Sequence, residues 1–283
     1  MSNDYGQGMT TDAGLITFDE SSAALRAMLD EIFLSWARQT GARPMQYPPL
    51  VEVEGLAQLD YFRNFPHLAV LATGLNPDAQ KLYASHESLT DHIATVNVEP
   101  VRYALPSAAC FNVYLSLRGE LLPTQHTITT SATCFRRENE YHDRRLLAFT
   151  MREIVFLGES EQVLDNLAEL KKVVVAFAEH LGLPLALENS SDPFFESGGA
   201  RALMAQLFPV KQEFVYSGSR EPVAIGSVNF HRNFFGERCG IQLPDESTAY
   251  SGCVAFGLER WVSVLREQFG EEAASRLNGV MAQ

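Results

Sequence analysis

No stretch of this 283-residue chain approaches the roughly 18 consecutive apolar residues that a membrane-crossing helix needs. The opening residues, MSNDYGQGMTTDAG, hold neither a basic segment nor an apolar signal core, so a cytoplasmic location is expected. Cysteine is sparse. Cys110, Cys134, Cys239 and Cys253 lie far apart with no Cys-x-x-Cys pair, which removes the zinc-finger and dithiol spacings and leaves free thiols or metal ligands. Positive charge is also scarce: 22 Lys and Arg stand against 35 Asp and Glu, a net charge of -13 that opposes broad nucleic-acid binding. Internal repeats and low-complexity tracts are absent from the sequence. With 46% hydrophobic residues, the chain can bury one large core, or at most two domains, without cross-links.

What is present is periodic. After a flexible tail over residues 1–16, Leu25, Met28, Leu29, Ile32, Phe33 and Trp36 recur at helical spacing behind a cap at Asp19 to Ser22. Pro48 and Pro49 then break regular structure. A second helix is predicted over about 160–182, from a Ser160 cap through Val163, Leu167, Leu170, Val174, Phe177 and Leu181 to Gly182. Its exposed side carries Lys171 and Lys172. Strand-like runs lie near 107–117, 126–137, 148–158, 209–217, 222–231 and 251–257, and the last enters a helix at Gly257. Strands in series with helices grouped elsewhere predict an α+β fold with a largely antiparallel sheet, residues 17–283 forming one domain.

Alternation along the strands sorts side chains by face. Cys134, Arg136 and Glu138 point to one side of their strand. Glu153 shares a face with Phe149, Met151, Val155 and Leu157, a carboxylate in an apolar row. Such a group needs either a cross-strand arginine or a ligand role. Ser227, Asn229 and His231 share another face, which is either a recognition surface or a solvated edge. Arg260 falls in the first turn of a helix, where the dipole disfavours a cation, so an anion is expected nearby.

The segment CFRRE resembles motif 2 of the class II aminoacyl-tRNA synthetases, and GCVAFGLERW resembles their motif 3. Joined to RPMQYPPLVEVEGLAQLDYFRNFPHL, LPSAACFNVYLSLRGE, FTMREIVFLGE, SDPFFESGGARALM and SVNFHRNFFG, they resemble more specifically the amino acid:[carrier protein] ligases. These are truncated relatives of the zinc-dependent seryl-tRNA synthetases of methanogens, and the likeness spans roughly residues 20 to 270.

The resemblance implies a class II synthetase-like catalytic core and a chemistry. Cys110, Glu153 and Cys253 match the ligands of one catalytic zinc ion, with a fourth position left open for substrate. Taken singly, each cysteine also reads as a small buried hydrophobe. Arg136 would hold the α-phosphate of ATP, Glu138 the adenine amino group and Arg260 the γ-phosphate, with magnesium bridging the phosphates. Arg144, Arg145 and Leu146 would close over the nucleotide, and Lys211 and Glu213 would lie beside it. Ser227, Asn229 and His231 would line the amino-acid pocket with Glu153. The implied activity forms an aminoacyl-adenylate of a small amino acid, glycine or alanine, and transfers it to the phosphopantetheine thiol of a carrier protein. Docking at Lys171 and Lys172 and a homodimer through about residues 40 to 70 are expected, and tRNA is not an expected partner. The alternatives are an amide-forming or tRNA-related homologue and a catalytically silent paralogue acting as a binding subunit.

Overall fold

The computed structural model describes residues 9–85, 91–196, 198–199 and 210–281. Its first long helix, α1 (Glu20–Gln39), starts where expected. The Asp19 carboxylate accepts from the Ser22 N–H at 2.8 Å, and Leu25, Leu29, Ile32, Phe33 and Trp36 form one buried stripe. The second, α6 (Ser160–Leu181), ends at Gly182, whose φ of 71° is the left-handed C-cap that glycine adopts without a Cβ penalty. Its N-cap is Glu159 without a side-chain bond, one residue before the expected Ser160.

Short elements connect these. The hairpin β1 (Met9–Asp12) and β2 (Leu15–Phe18) opens the described chain. After α1 come β3 (Arg43–Pro44), β4 (Val51–Glu52), α2 (Val53–Gln58), α3 (Tyr61–Asn64), β5 (Val70–Ala72), α4 (Pro77–Ala84), β6 (Tyr103–Leu105) and α5 (Phe111–Ser116). The main strands are β7 (Gln125–Phe135), β8 (Ala148–Gly158), β9 (Leu185–Ser190), β10 (Lys211–Tyr216), β11 (Val223–Arg232) and β12 (Tyr250–Gly257). Between the last two lies α7 (Phe234–Cys239), and α8 (Leu258–Phe269) and α9 (Ala273–Met281) follow.

Seven strands form one sheet in the order β3-β7-β8-β12-β11-β10-β9, antiparallel except where β3 meets β7. Strand alternation gives the sheet two different faces. On one, Ile154, Val254 and Phe256 pack against α1, α6 and α8, with Phe33 stacked on Phe256 at 4.2 Å. A Cβ on Gly252 would come within 2.7 Å of Leu167, so glycine there lets α6 approach β12. On the other, Val155, Leu157, Cys110, Cys253 and Ile128 form a second cluster with Tyr114 and Phe235. That second face carries the polar residues discussed below.

Three expectations change. Residues 9–16, expected in a flexible tail, belong to a hairpin whose turn is Ala13 (φ 48°) and Gly14 (φ 78°); the Gly14 carbonyl accepts from the Leu147 N–H at 2.9 Å. Residues 1–8 lie outside the described residues, as does most of SGGARALM. The run at 107–117 is a turn and helix α5 rather than a strand, because Val113 and Tyr114 bury one helical face and only Val113 is β-branched. Strand β9 escaped notice because it is a largely exposed edge with no buried alternation to read.

Candidate active site

The register of the central strands decides which polar groups meet. Glu153 pairs across with Ala255, and Cys253 pairs with Val155 on one side and Asn229 on the other. Glu153, Cys253, Asn229 and Ser227 therefore share one face. Cys110, one residue before α5, is brought over them. The ligand atoms of Cys110, Glu153 and Cys253 lie within 4.8 Å of one another, and all three residues are buried. The turn before α5 clamps the carboxylate: Oε1 of Glu153 accepts from the backbone N–H of Ala109 at 2.8 Å and of Cys110 at 3.3 Å. Oε2 is buried, and among the described residues it has no hydrogen-bond partner.

No cross-strand arginine answers Glu153 among the described residues. Arg152, the adjacent guanidinium, points to the opposite face and holds Asp30 through Nε at 2.5 Å and Nη2 at 2.9 Å. A shared hydrogen bond with Cys253, then burial and the Glu153 charge, push the Cys110 thiol well above its ordinary pKa. An orphaned carboxylate oxygen beside two crowded sulfurs is a donor set that a divalent, thiophilic cation satisfies, so these residues fit zinc.

Strand β11 is interior, between β12 and β10, so the Ser227–Asn229–His231 face is not a solvated edge. The Asn229 amide donates to Ser227 Oγ at 3.0 Å and reaches Cys253 Sγ at 3.4 Å. His231 sits at a bulge between Phe230 and Arg232, and burial holds its imidazole down at about 4, neutral at physiological pH.

An open cleft with about 710 Å³ of empty space, its solvent mouth included, adjoins this cluster over the strand ends and the start of α8. Arg136, Glu138, Arg145, Leu146, Lys211, Glu213 and Arg260 all line it, as does Ser227. Lys211 is held 3.0 Å from Asp192 and 3.1 Å from Glu213. The Arg260 Nε donates to the Arg144 carbonyl at 2.9 Å and its Nη1 to the Ala224 carbonyl at 2.8 Å. Burial, with Arg136 nearby, lowers Arg260 to about 10. A half-buried cation beside a second cation, with no carboxylate in hydrogen-bond contact among the described residues, is what a site awaiting an anion looks like.

Two expected site features are rearranged. Arg144 lines the cleft, yet its guanidinium is taken by Glu267, by Ser263 Oγ at 3.1 Å and by the Glu221 carbonyl at 3.3 Å. It braces the loop, and Arg145 is the exposed arginine of the pair. Lys171 and Lys172 do not form a strip, because neighbours on a helix point about 100° apart. Lys171 reaches Gln212 on β10 at 3.1 Å, while Lys172 pairs with Glu169 at 2.6 Å among the exposed acids Glu161, Asp165 and Glu179.

Several site residues were missed in the sequence. The Phe149 ring lies 5.2 Å from the Arg136 guanidinium, a cation–π contact that alternation on β8 could have flagged. Glu259 accepts from the Thr150 N–H at 2.7 Å and lies 3.5 Å from Arg26. Outside the cleft lining, Asp143, paired twice with Arg220 at 2.6 and 2.8 Å, had no local signal.

The fold is that of the class II aminoacyl-tRNA synthetases: an M. kandleri seryl-tRNA synthetase, crystallised with A. aeolicus tRNASec, superposes with a TM-score of 0.80 at 21% identity, over 96% of this chain and 58% of that one. A type-2 serine–tRNA ligase of Methanocaldococcus jannaschii is 23% identical, over 88% of this chain and 51% of its own length. An amino acid–[acyl-carrier-protein] ligase of Bradyrhizobium diazoefficiens is 30% identical over 250 residues, 84% of this chain and 75% of that protein. The chain belongs to the family of amino acid–[acyl-carrier-protein] ligases. No protein-family model matches it. Among the described residues, no helix is long and apolar enough to cross a membrane.

Proposed function

We propose that this enzyme activates a small amino acid, glycine or alanine, with ATP and passes it to the phosphopantetheine thiol of a carrier protein. One observation carries the reading: the arginine-lined cleft and the Cys110–Glu153–Cys253 cluster are a single hydrogen bond apart. Ser227 lines the cleft, and the Asn229 amide that donates to it also touches Cys253. A nucleotide in the cleft and an amino acid at the cluster would be neighbours.

In the first step, a carboxylate oxygen of the amino acid attacks the α-phosphorus of ATP, and the bond to the β-phosphate oxygen breaks to release pyrophosphate. Arg136 would neutralise charge on the α-phosphate and Arg260 on the γ-phosphate, while Glu138 accepts from the adenine amino group. Guanidinium suits this work because its planar fork pairs with phosphate in two places and stays charged. Arg145 closes from the exposed loop. Lys211 and Glu213 border the nucleotide, and magnesium would enter with its phosphates. Positioning and charge neutralisation supply most of the acceleration. In the second step the carrier thiol, losing its proton, attacks the acyl carbon, and AMP departs as the thioester forms.

Cys110, Glu153 and Cys253 would hold the zinc ion, which when bound would take the substrate α-amine as its fourth ligand and keep it unprotonated. Ser227, Asn229 and His231 would shape the pocket around that amine. The net charge of -13 argues against tRNA as the acceptor. A silent paralogue would have little reason to keep both Arg136 and Arg260 in the cleft. A homodimer is proposed through residues 40–70, where Met45 is 46% and Leu50 36% exposed.

Pyrophosphate exchange measured with each of the twenty amino acids, zinc and magnesium present, tests the activation step. The expected result is exchange with glycine or alanine; none with any amino acid would overturn the reading.

A further inference from the structure

Tyr114 on α5 is fully buried, its ring stacked on Phe235 at 3.9 Å and 8° from parallel. Its hydroxyl lies 3.1 Å from Nδ1 of His231. On the far side of that imidazole, Nε2 lies 3.8 Å from Cys253 Sγ. One imidazole thus bridges a phenol and a candidate metal ligand.

The polarity of this bridge is not free. Cys253 serving a metal is a thiolate, which can only accept a hydrogen bond. Nε2 must then carry the hydrogen. With the single N–H of the ring spent on the sulfur, Nδ1 is left as the acceptor, and the Tyr114 hydroxyl 3.1 Å away is placed to donate to it. A ligand sulfur oriented in this way has a defined lone-pair direction and part of its charge offset, and partners at this remove from a metal typically govern its affinity.

We propose that Tyr114 and His231 form a positioning relay in which the phenol fixes the imidazole tautomer and the imidazole aims an N–H at Cys253 Sγ, raising the affinity of the site for zinc. The inference rests on the zinc reading given above. Tyr114 touches neither substrate nor metal and acts only through His231. Without its hydroxyl, the tautomer carrying hydrogen on Nδ1 becomes competitive, and it presents a lone pair to the sulfur instead of a donor.

The test uses the full chain stripped of metal. Zinc affinity is read by competition with a chromophoric chelator, and cobalt(II) substitution reads the thiolate-to-metal charge-transfer band. Wild type should bind one metal per chain. Tyr114→Phe, which keeps the ring stack, should weaken zinc about tenfold, and His231→Leu between about ten- and a hundredfold. His231→Gln, whose Nε2 amide can still donate, should retain most of the affinity. Adding Tyr114→Phe to His231→Leu should cost nothing further. If His231→Leu fails to fold, the same comparison is made on the His231→Met background, where no donor is left for Tyr114 to orient and Tyr114→Phe should again cost nothing. A metal-binding wild type accompanied by a Tyr114→Phe protein of unchanged affinity and unchanged cobalt band would overturn the relay alone, as would additive losses in the double variant. A wild type that binds no zinc would overturn the metal site itself and the relay with it.

Discussion

Replacing Arg260 by methionine should remove most of the activity and leave stability nearly unchanged. Arg260 is lowered to about 10, first by burial and then by the Arg136 charge, so holding it charged in the folded chain costs on the order of 3 kcal/mol. The cost applies at every pH below about 10, since the unfolded arginine is charged throughout that range. Against it stand two hydrogen bonds, to the Arg144 carbonyl at 2.9 Å and the Ala224 carbonyl at 2.8 Å. Each is worth about 1.5 kcal/mol with a charged donor. The two terms cancel to within about 1 kcal/mol, a shift in Tm of roughly 3 °C or less for a chain of this size. Pyrophosphate exchange should meanwhile fall by about 10²- to 10³-fold, the usual loss when a preorganised charge is removed. Arg152 is the control: bidentate to Asp30, it is a structural arginine, and Arg152→Met should cost about 3–5 kcal/mol. Thermal melts of both variants with and without ATP, beside the exchange assay, check this. If Arg260→Met loses as much stability as Arg152→Met, Arg260 belongs to the scaffold and the reasoning fails.

Three further outcomes follow from named contacts. Cys110→Ser should lower bound zinc well below one per chain by elemental analysis, with exchange falling in parallel; full metal and full activity would remove Cys110 from the ligand set. Arg220→Ala should destabilise by about 2–4 kcal/mol in a pH-dependent manner, because the buried Asp143 loses its partner. Desolvation raises the Asp143 carboxyl, but the Arg220 hydrogen bonds and charge outweigh it and hold it below 3.8, so the stabilisation is present above that pH and fades as pH falls through it. Urea melts at pH 7 and below pH 4 should show the difference between wild type and variant shrinking in acid. Reversing both Lys171 and Lys172 to glutamate should leave exchange intact and slow transfer to the carrier by less than about threefold, since Glu169 already neutralises Lys172 and Gln212 holds Lys171. A larger loss in single-turnover transfer would restore α6 as a docking helix.

The long elements were legible because burial imposed a long period. Helices α1 and α6, and strands β7, β8, β11 and β12, carry enough alternating or three-to-four spaced apolar residues to outvote local propensity. The run around Cys110 was misread because a short apolar segment carries no such majority, and the 9–18 hairpin because a polar stretch hid a two-residue turn. Within the site, the isolation of Glu153 in an apolar row was visible from β8 alone, but its neighbours were not. Cys110 and Cys253 stand 43 residues before it and 100 after it, and only sheet register brings them together. Arg144 lines the cleft as expected, but its engagement by Glu267 was not legible, because Glu267 lies 123 residues away on α8 and nothing local marks the pair.

Aminoacyl transfer to a carrier thiol is read by incubating the enzyme with ATP, magnesium, zinc and radiolabelled glycine or alanine in three parallel reactions. One contains a carrier protein bearing phosphopantetheine, one the same carrier without it, and one bulk tRNA. Base-labile label is expected on the phosphopantetheinylated carrier alone, with AMP released in equal amount. Label on tRNA, or none on the carrier while AMP accumulates, would contradict the carrier thiol as acceptor.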